Sequence, residues 1–235
     1  MIAAAGGVEH EWLVARVEAA FSHLQGASGA PQSPSPRPHI GLGVHNKKLE
    51  QVQLMLGVPG LSVVDEERYA AFVLNTALGD GMSSRLFQEV REKRGKAYSI
   101  YSYLDSFSDA GCVGVYAALG AAAVPEVVDV VRSELQKVVA EGLEDGELER
   151  AKNQIKGGML LGLESTASRM RRLALNEIYF GRDVAPSEVS ESISAVGSGD
   201  VRNMAERLFA SGNLAATLLG DVPDSILDPA ALHLG

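Results

Sequence analysis

Cysteine is almost absent from this chain. Cys112 stands alone, which excludes an internal disulfide framework and any zinc site built from several thiolates. Its setting, GCVGVYAAL, is that of a thiol buried on a strand rather than of a nucleophile. Basic charge is also scarce: 21 Lys and Arg stand against 30 Asp and Glu, and a net charge of -9 argues against a nucleic-acid or anionic membrane surface, either of which would want clustered cations. No apolar run reaches the ~18 residues a membrane helix needs, and MIAAAGG lacks the basic start of a signal peptide. The expectation is a soluble protein with no nucleic-acid or membrane partner, its compartment left open with the cytoplasm favoured.

Metal-ligand spacing is missing too. On a helix, ligands at i and i+4 share one face, but His10, His23, His39, His45 and His233 are never four apart. His10 lies between Glu9 and Glu11, yet a first helical turn is where acids belong in any case. His10 and His23 are too far apart along one helix to share an ion. His39 and His45 read as linker and strand-surface residues, and His233 lies near the end of the chain. No metal ligand is expected here.

What is present is enough apolar residue, 46%, to bury a sizeable core. Met1 to Ala5 is a short apolar run, and Glu9 to Leu24 places Leu13, Val14, Val17, Ala20 and Phe21 on one helical face. Residues 26–39, GASGAPQSPSPRPH, read as a Pro/Ser/Gly linker. A PxxP ligand between Pro31 and Pro38 is conceivable, with a semi-rigid spacer preferred.

Two strands follow, Ile40 to Asn46 and Glu50 to Val58, the second alternating Val52, Leu54, Leu56 and Val58 with Gln51, Gln53, Met55 and Gly57. Asp65 is placed to cap a helix with Tyr69, Phe72, Val73, Thr76 and Ala77 as its inner stripe. Further strands are expected at Ala97 to Asp105, Ala110 to Leu119 and Asn213 to Gly220. Small residues at Gly111, Gly114, Ala117 and Ala118 point to close packing. Helices are expected at Pro125 to Glu141, Asp145 to Leu163, Thr166 to Phe180, Pro186 to Ser194 and Ser198 to Ala210. Gly157 and Gly158 predict a bend or a close helix contact. This order predicts an α+β fold: a two-layer sandwich with a mainly antiparallel sheet and helices on one face.

The stretch Gly79 to Tyr103, GDGMSSRLFQEVREKRGKAYSIYSY, organises the rest. It reads as a glycine-rich turn, a short helix with Ser83 as N-cap, a stop at Gly95 and a tyrosine-rich strand. Arg91 ends the helix and Tyr98 begins the strand, so a tight corner can aim a guanidinium and a phenol at one spot. By spacing alone the preferred explanation of the pair is a packing tyrosine and an arginine favoured by the helix dipole.

The motif G-x-G-M-S-S-R-L-F-x-x-[VI]-R-E-K-R-G-x-A-Y-S closely resembles the C-terminal, non-catalytic half of the pitrilysin/insulinase family of zinc metallopeptidases, the inverzincins whose other half carries H-x-x-E-H. The similarity runs from about Ile40 to Asp221. Asp80 stands where glycine is common and Lys96 where leucine is common; neither touches the Arg/Tyr pair. The resemblance implies that Arg91 and Tyr98 hold substrate, with Ser83, Ser84 and Arg85 as weaker supporting candidates for which capping or structure is favoured. It implies that residues 1–25 are the closing strand and helix of a preceding catalytic-type domain, that 40–223 form the C-terminal domain, and that 224–235 are a tail. It further implies a metalloendopeptidase whose zinc sits in a partner catalytic half, in the same natural chain or a separate subunit, with a peptide substrate and a dimeric assembly. A catalytically silent scaffold or processing-complex subunit, and a peptide-binding module using an exposed strand edge, are the alternatives.

Overall fold

The β-branched and leucine-rich strands build one five-stranded sheet in the computed structural model, which describes residues 1–24, 34–210, 212 and 214–234. The strands are β1 (Leu42–Asn46), β2 (Val52–Pro59), β3 (Ala97–Ser106), β4 (Gly111–Leu119) and β5 (Ala215–Gly220). Their spatial order is β1-β5-β2-β4-β3, antiparallel throughout except for the parallel pair β1 and β5. Alternation in β2 sends Val52, Leu54, Leu56 and Val58 into the core and leaves Gln53 and Met55 on the other face. The helices are α1 (His10–Phe21), α2 (Arg68–Gly79), α3 (Val124–Glu141), α4 (Asp145–Gly162), α5 (Thr166–Phe180), α6 (Pro186–Ala195) and α7 (Ser198–Phe209). Helices α2, α3 and α7 meet the sheet or one another over the core. On the sheet's second face Met55 and Tyr101 stand exposed among the described residues, and the α+β two-layer arrangement holds.

Helix α3 shows why the pattern was readable. Val127, Val128, Val131, Leu135 and Val138 recur at helical spacing and are all buried; Pro125 sits in the first turn, and Gly142, at φ 75°, ends it.

Four local expectations are corrected. Residues 1–5 form no strand, since a lone segment finds no partner for its N–H and C=O groups, and no residue of α1 is buried. Asp65 caps the turn ahead of α2 rather than the helix: its carboxylate accepts from Glu67 N–H at 2.9 Å and pairs with Arg207 at 2.8 Å. The buried side of α2 is wider than one stripe, taking in Ala70, Ala71, Val73, Leu74, Thr76 and Leu78, because the helix is sandwiched between β3 and helices α4 and α7. Gly157 and Gly158 run through an unbroken α4, and a Cβ at either would meet nothing within 4 Å, so no close helix contact explains them.

The segment read as a tail is packed. Leu227, Leu232 and Leu234 are buried, Leu214 N–H donates to the Leu232 carbonyl at 2.9 Å, and Gln136 Nε2 donates to that of Leu234 at 3.1 Å. The linker reading of 26–39 lies outside the described residues for 26–33; residues 34–39 have no regular structure.

Candidate functional site

The corner between α2 and β3 is built by two tight approaches. Gly79, the last residue of α2, lies against the backbone of Ser102 in β3, where an added Cβ would come within 2.2 Å of Ser102 N. Ser102 Oγ donates to the Asn75 carbonyl at 2.9 Å, tying helix to strand. The chain then turns through Gly81, at φ 96°, into the short helix. Its hydrogen bonds widen between Phe87 and Glu92 into a π-helical turn, with Lys93 N–H reaching back to the Gln88 carbonyl at 2.9 Å. Such turns are rare and concentrate at functional sites. Gly95, at φ 62°, is the left-handed stop the sequence suggests, and Gly95 and Lys96 N–H close on the Arg91 and Val90 carbonyls.

Arg91 therefore sits inside the π-turn. It is exposed, its side chain makes no hydrogen bond or ion pair among the described residues, and its guanidinium lies 5.0 Å from the Phe87 ring. Tyr98 is held by a different device. Ala97 pairs with Leu119 and Ser99 with Ala118, so Tyr98 is the extra residue of a β-bulge. A bulge re-aims a side chain, and Tyr98 is 66% exposed with no hydrogen-bonding partner among the described residues. Two polar groups, each presented by a local irregularity and neither spent on the fold, flank one corner.

The supporting residues are spent on the fold. Ser84, not Ser83, precedes the helix, and it is only 2% exposed; its hydroxyl donates to the Gly81 carbonyl at 2.7 Å. Ser83 is exposed and makes no capping bond. Arg85 is clamped: Nε and Nη2 donate to Glu147 at 2.8 and 2.6 Å, and Nη2 also to the Gly142 carbonyl at 3.0 Å. Burial alone would raise the Glu147 carboxyl, but the hydrogen bonds from Arg85 and from Glu144 N–H outweigh it and hold it below the usual carboxylate range. Glu147 lies 62 residues from Arg85, and no sequence signal joins them.

That pair has a pH signature. A carboxyl depressed in the fold stabilises above its unfolded value, near 4.5, and the contribution is lost as pH falls through the folded value. Glu147→Gln keeps the capping geometry but removes the charge, and is expected to cost about 2 kcal/mol at pH 7, since both side chains are largely buried. Urea midpoints of the two proteins should converge as pH falls below 4.5 and through the depressed folded value. A gap as wide in acid as at neutrality would show that the charge is not what stabilises.

On the open face of the sheet stand residues that sequence reasoning passed over: Met55, Tyr101, Tyr103 and Tyr116. The Tyr101 ring lies 5.0 Å from that of Tyr116 and 6.4 Å from that of Tyr103. Period-two alternation of Tyr101 and Tyr103 was the available signal. Cys112 shares this face, half-buried on β4, its thiol pushed up by burial and then by Asp105, and is no activated nucleophile. Among the described residues no three His, Cys, Asp or Glu side chains gather around a possible metal position, so these residues do not fit a zinc ion. No described helix is long and apolar enough to cross a membrane.

Comparison with known proteins shows the family from sequence and the fold from structure. Residues 1–155 match the family model described as the peptidase M16 inactive domain. An uncharacterized zinc protease of Streptomyces coelicolor is 43% identical over 214 residues, covering 87% of this chain and 46% of the relative. One from Bacillus subtilis is 36% identical over 209 residues, covering 89% and 51%. The chain spans about half the length of these curated relatives. Among solved structures, the peptidase M16 inactive domain from Pseudomonas fluorescens superposes with a TM-score of 0.76 at 22% identity, over 89% of this chain and 50% of that one. A chain of complex III2 from Candida albicans does so with 0.82 at 20%, over 96% and 55%. At such identities these likenesses concern the fold alone.

Proposed function

Because this chain belongs to the M16 peptidase family, in its inactive-domain form, we propose that it is the substrate-binding half of a zinc-dependent metalloendopeptidase. The observation that carries the reading is the Arg91/Tyr98 corner, where two polar side chains are exposed by a π-turn and a bulge and bonded to nothing in the fold. The Arg91 guanidinium donates through its planar fork to a substrate carbonyl or terminal carboxylate. The Tyr98 hydroxyl donates to the oxyanion that develops on the scissile carbonyl. Zinc and the general base belong to a catalytic half with H-x-x-E-H, in the same natural chain or a separate subunit. The two halves enclose an extended or unfolded peptide in a dimeric assembly.

In this reading residues 1–25 complete the catalytic-type domain, 26–39 link the halves, and the domain beginning at residue 40 holds the substrate. Helix α1, none of whose residues is fully buried here, would gain further cover from the catalytic half. Ser83, Ser84 and Arg85 serve the corner's architecture.

The test is reconstitution. The chain is mixed with a separately produced catalytic half, and cleavage of an unstructured fluorogenic peptide is followed with zinc and then with a chelator. Activity is expected in the mixture only, and to vanish on chelation. Stable association without cleavage would replace this reading with that of a catalytically silent scaffold or processing-complex subunit.

A further inference from the structure

A cavity of about 400 Å³ opens between the start of α2 and helices α5 and α6. Its walls are apolar: Phe72 of α2, Leu175, Tyr179 and Phe180 of α5, and Val189 of α6. Each of these side chains is half-buried, so the recess is walled by hydrocarbon that water wets only in part. Residues Met1–Ala4 and α1 face a different side of α5, at Leu173, Ala174 and Glu177.

The charged groups in this wall are all cations. Arg68, Arg171 and Arg172 line the cavity, and among the described residues no Asp or Glu does so. That inverts the balance of a chain with 30 acidic residues against 21 Lys and Arg. Arg68 is held in place: Nη1 donates to the Asp65 carbonyl at 2.9 Å and Nη2 to the Tyr69 hydroxyl at 3.2 Å. Its guanidinium lies 4.4 Å from the Tyr69 ring and 5.2 Å from that of Phe180. It has no ion pair among the described residues, and the Asp65 carboxylate is taken by Arg207. Arg172 donates to the Val184 carbonyl and pairs with Asp183 at 3.4 Å, yet its Nε is buried without an acceptor among the described residues. Arg171 is exposed. Glu188, which is near enough to feel the Arg68 charge, is bound by Arg182.

We propose that this cavity binds a small carboxylate with an apolar chain, of the size of a medium-chain alkanoate. The chain lies against Phe72, Leu175 and Val189, and the carboxylate pairs with the Arg68 guanidinium, whose planar fork the two rings already orient. A neutral lipid would leave that guanidinium unpaired beside hydrocarbon, and an inorganic anion would leave the walls to water. Arg172 is shared with Asp183, so the charge on offer suits one carboxylate rather than a phosphate dianion. Apolar walls with a few converging polar groups are the usual make-up of a small-molecule site. The cavity shares no residue with the Arg91/Tyr98 corner, and the proposal does not depend on the peptidase reading.

The test is a chain-length series on the full 235-residue chain. Hexanoate, octanoate and decanoate are titrated by calorimetry below their micellar concentrations. Saturable binding at one site is expected, tightening about fourfold per added methylene. Decanol should bind about tenfold more weakly than decanoate. Arg68→Met should erase that difference, and a ratio of two ligands on one folded variant is not moved by a simple loss of stability. Ser168→Trp, at an exposed position on the cavity's lining, should weaken decanoate about tenfold and leave the thermal midpoint where it was. No saturable decanoate binding up to ~1 mM overturns the proposal. So does decanol binding as tightly as decanoate, a preference for decanoate that survives Arg68→Met, or binding indifferent to Ser168→Trp. None of these results bears on cleavage by the reconstituted enzyme, so the two readings stand or fall separately.

Discussion

Arg91→Ala should lower kcat/KM of the reconstituted enzyme ~100-fold or more, and Tyr98→Phe should do the same by a different route. In its proposed role the guanidinium would grip groups present in the bound peptide before and during reaction, so its loss should fall mainly on KM. In the proposed role the phenol's proton would matter most when negative charge develops on the carbonyl oxygen, so its loss should fall on kcat; removing one such donor costs ~100-fold to 1,000-fold. Neither effect has a route through unfolding. The exposed Arg91 guanidinium lies over the Phe87 ring and makes no side-chain hydrogen bond or ion pair among the described residues, and Tyr98 is mostly in solvent, so both variants should hold their stability to within about 0.5 kcal/mol. Thermal melts of the chain alone and steady-state kinetics of the mixture separate the two quantities. Variants that assemble normally and cleave as fast as the parent would remove both residues from the site and leave the scaffold reading.

The parts of this molecule that sequence reveals are those governed by one period and one neighbour. The buried valines of α3, the alternation of β2 and the left-handed Gly95 each follow from spacing along a few residues, and each stands as expected. The motif around Arg91 resembled its family for the same reason: a glycine turn, a helix and a strand start are written in consecutive residues. What the sequence hides is geometry set by distant partners. The register step that bulges Tyr98 out of β3 is decided by Leu119 and Ala118 of β4, and the clamp on Arg85 by Glu147. The π-turn has no residue signature of its own; the widened bond from Lys93 N–H to the Gln88 carbonyl is a feature of the folded chain. Leu232 and Leu234 look like an idle terminus until β5 and α3 are in place beside them. Thus Arg91 and Tyr98 are legible as residues, while the irregularities that expose them are not.

Gly79→Ala should be the most damaging single methyl group that can be added to the site's framework. The new Cβ would lie 2.2 Å from Ser102 N, 2.5 Å from Ser102 Oγ and 2.7 Å from Ser102 Cβ. Backbone cannot step aside as a side chain can, because Ser102 is held by its ladder partner Val115 and by its own hydroxyl bond to Asn75. Either α2 withdraws from β3, opening the core around Leu78, or the strand bends; overpacking of this kind costs about 3 kcal/mol or more. For a chain of this size that lowers the thermal midpoint by about 10 °C. Gly158→Ala is the matched control. It too lies in a helix, but its Cβ would meet nothing within 4 Å, so the same substitution should be neutral or stabilise by up to about 1 kcal/mol. Scanning calorimetry of the two variants therefore tests contact rather than composition. Equal midpoints would mean that α2 does not rest on β3 as closely as the structure places it. In that event the corner presenting Arg91 and Tyr98 would lose its floor. If the predicted gap is found, any Gly79→Ala protein that still folds should also cleave poorly in the mixture, since the displaced strand is the one that carries Tyr98.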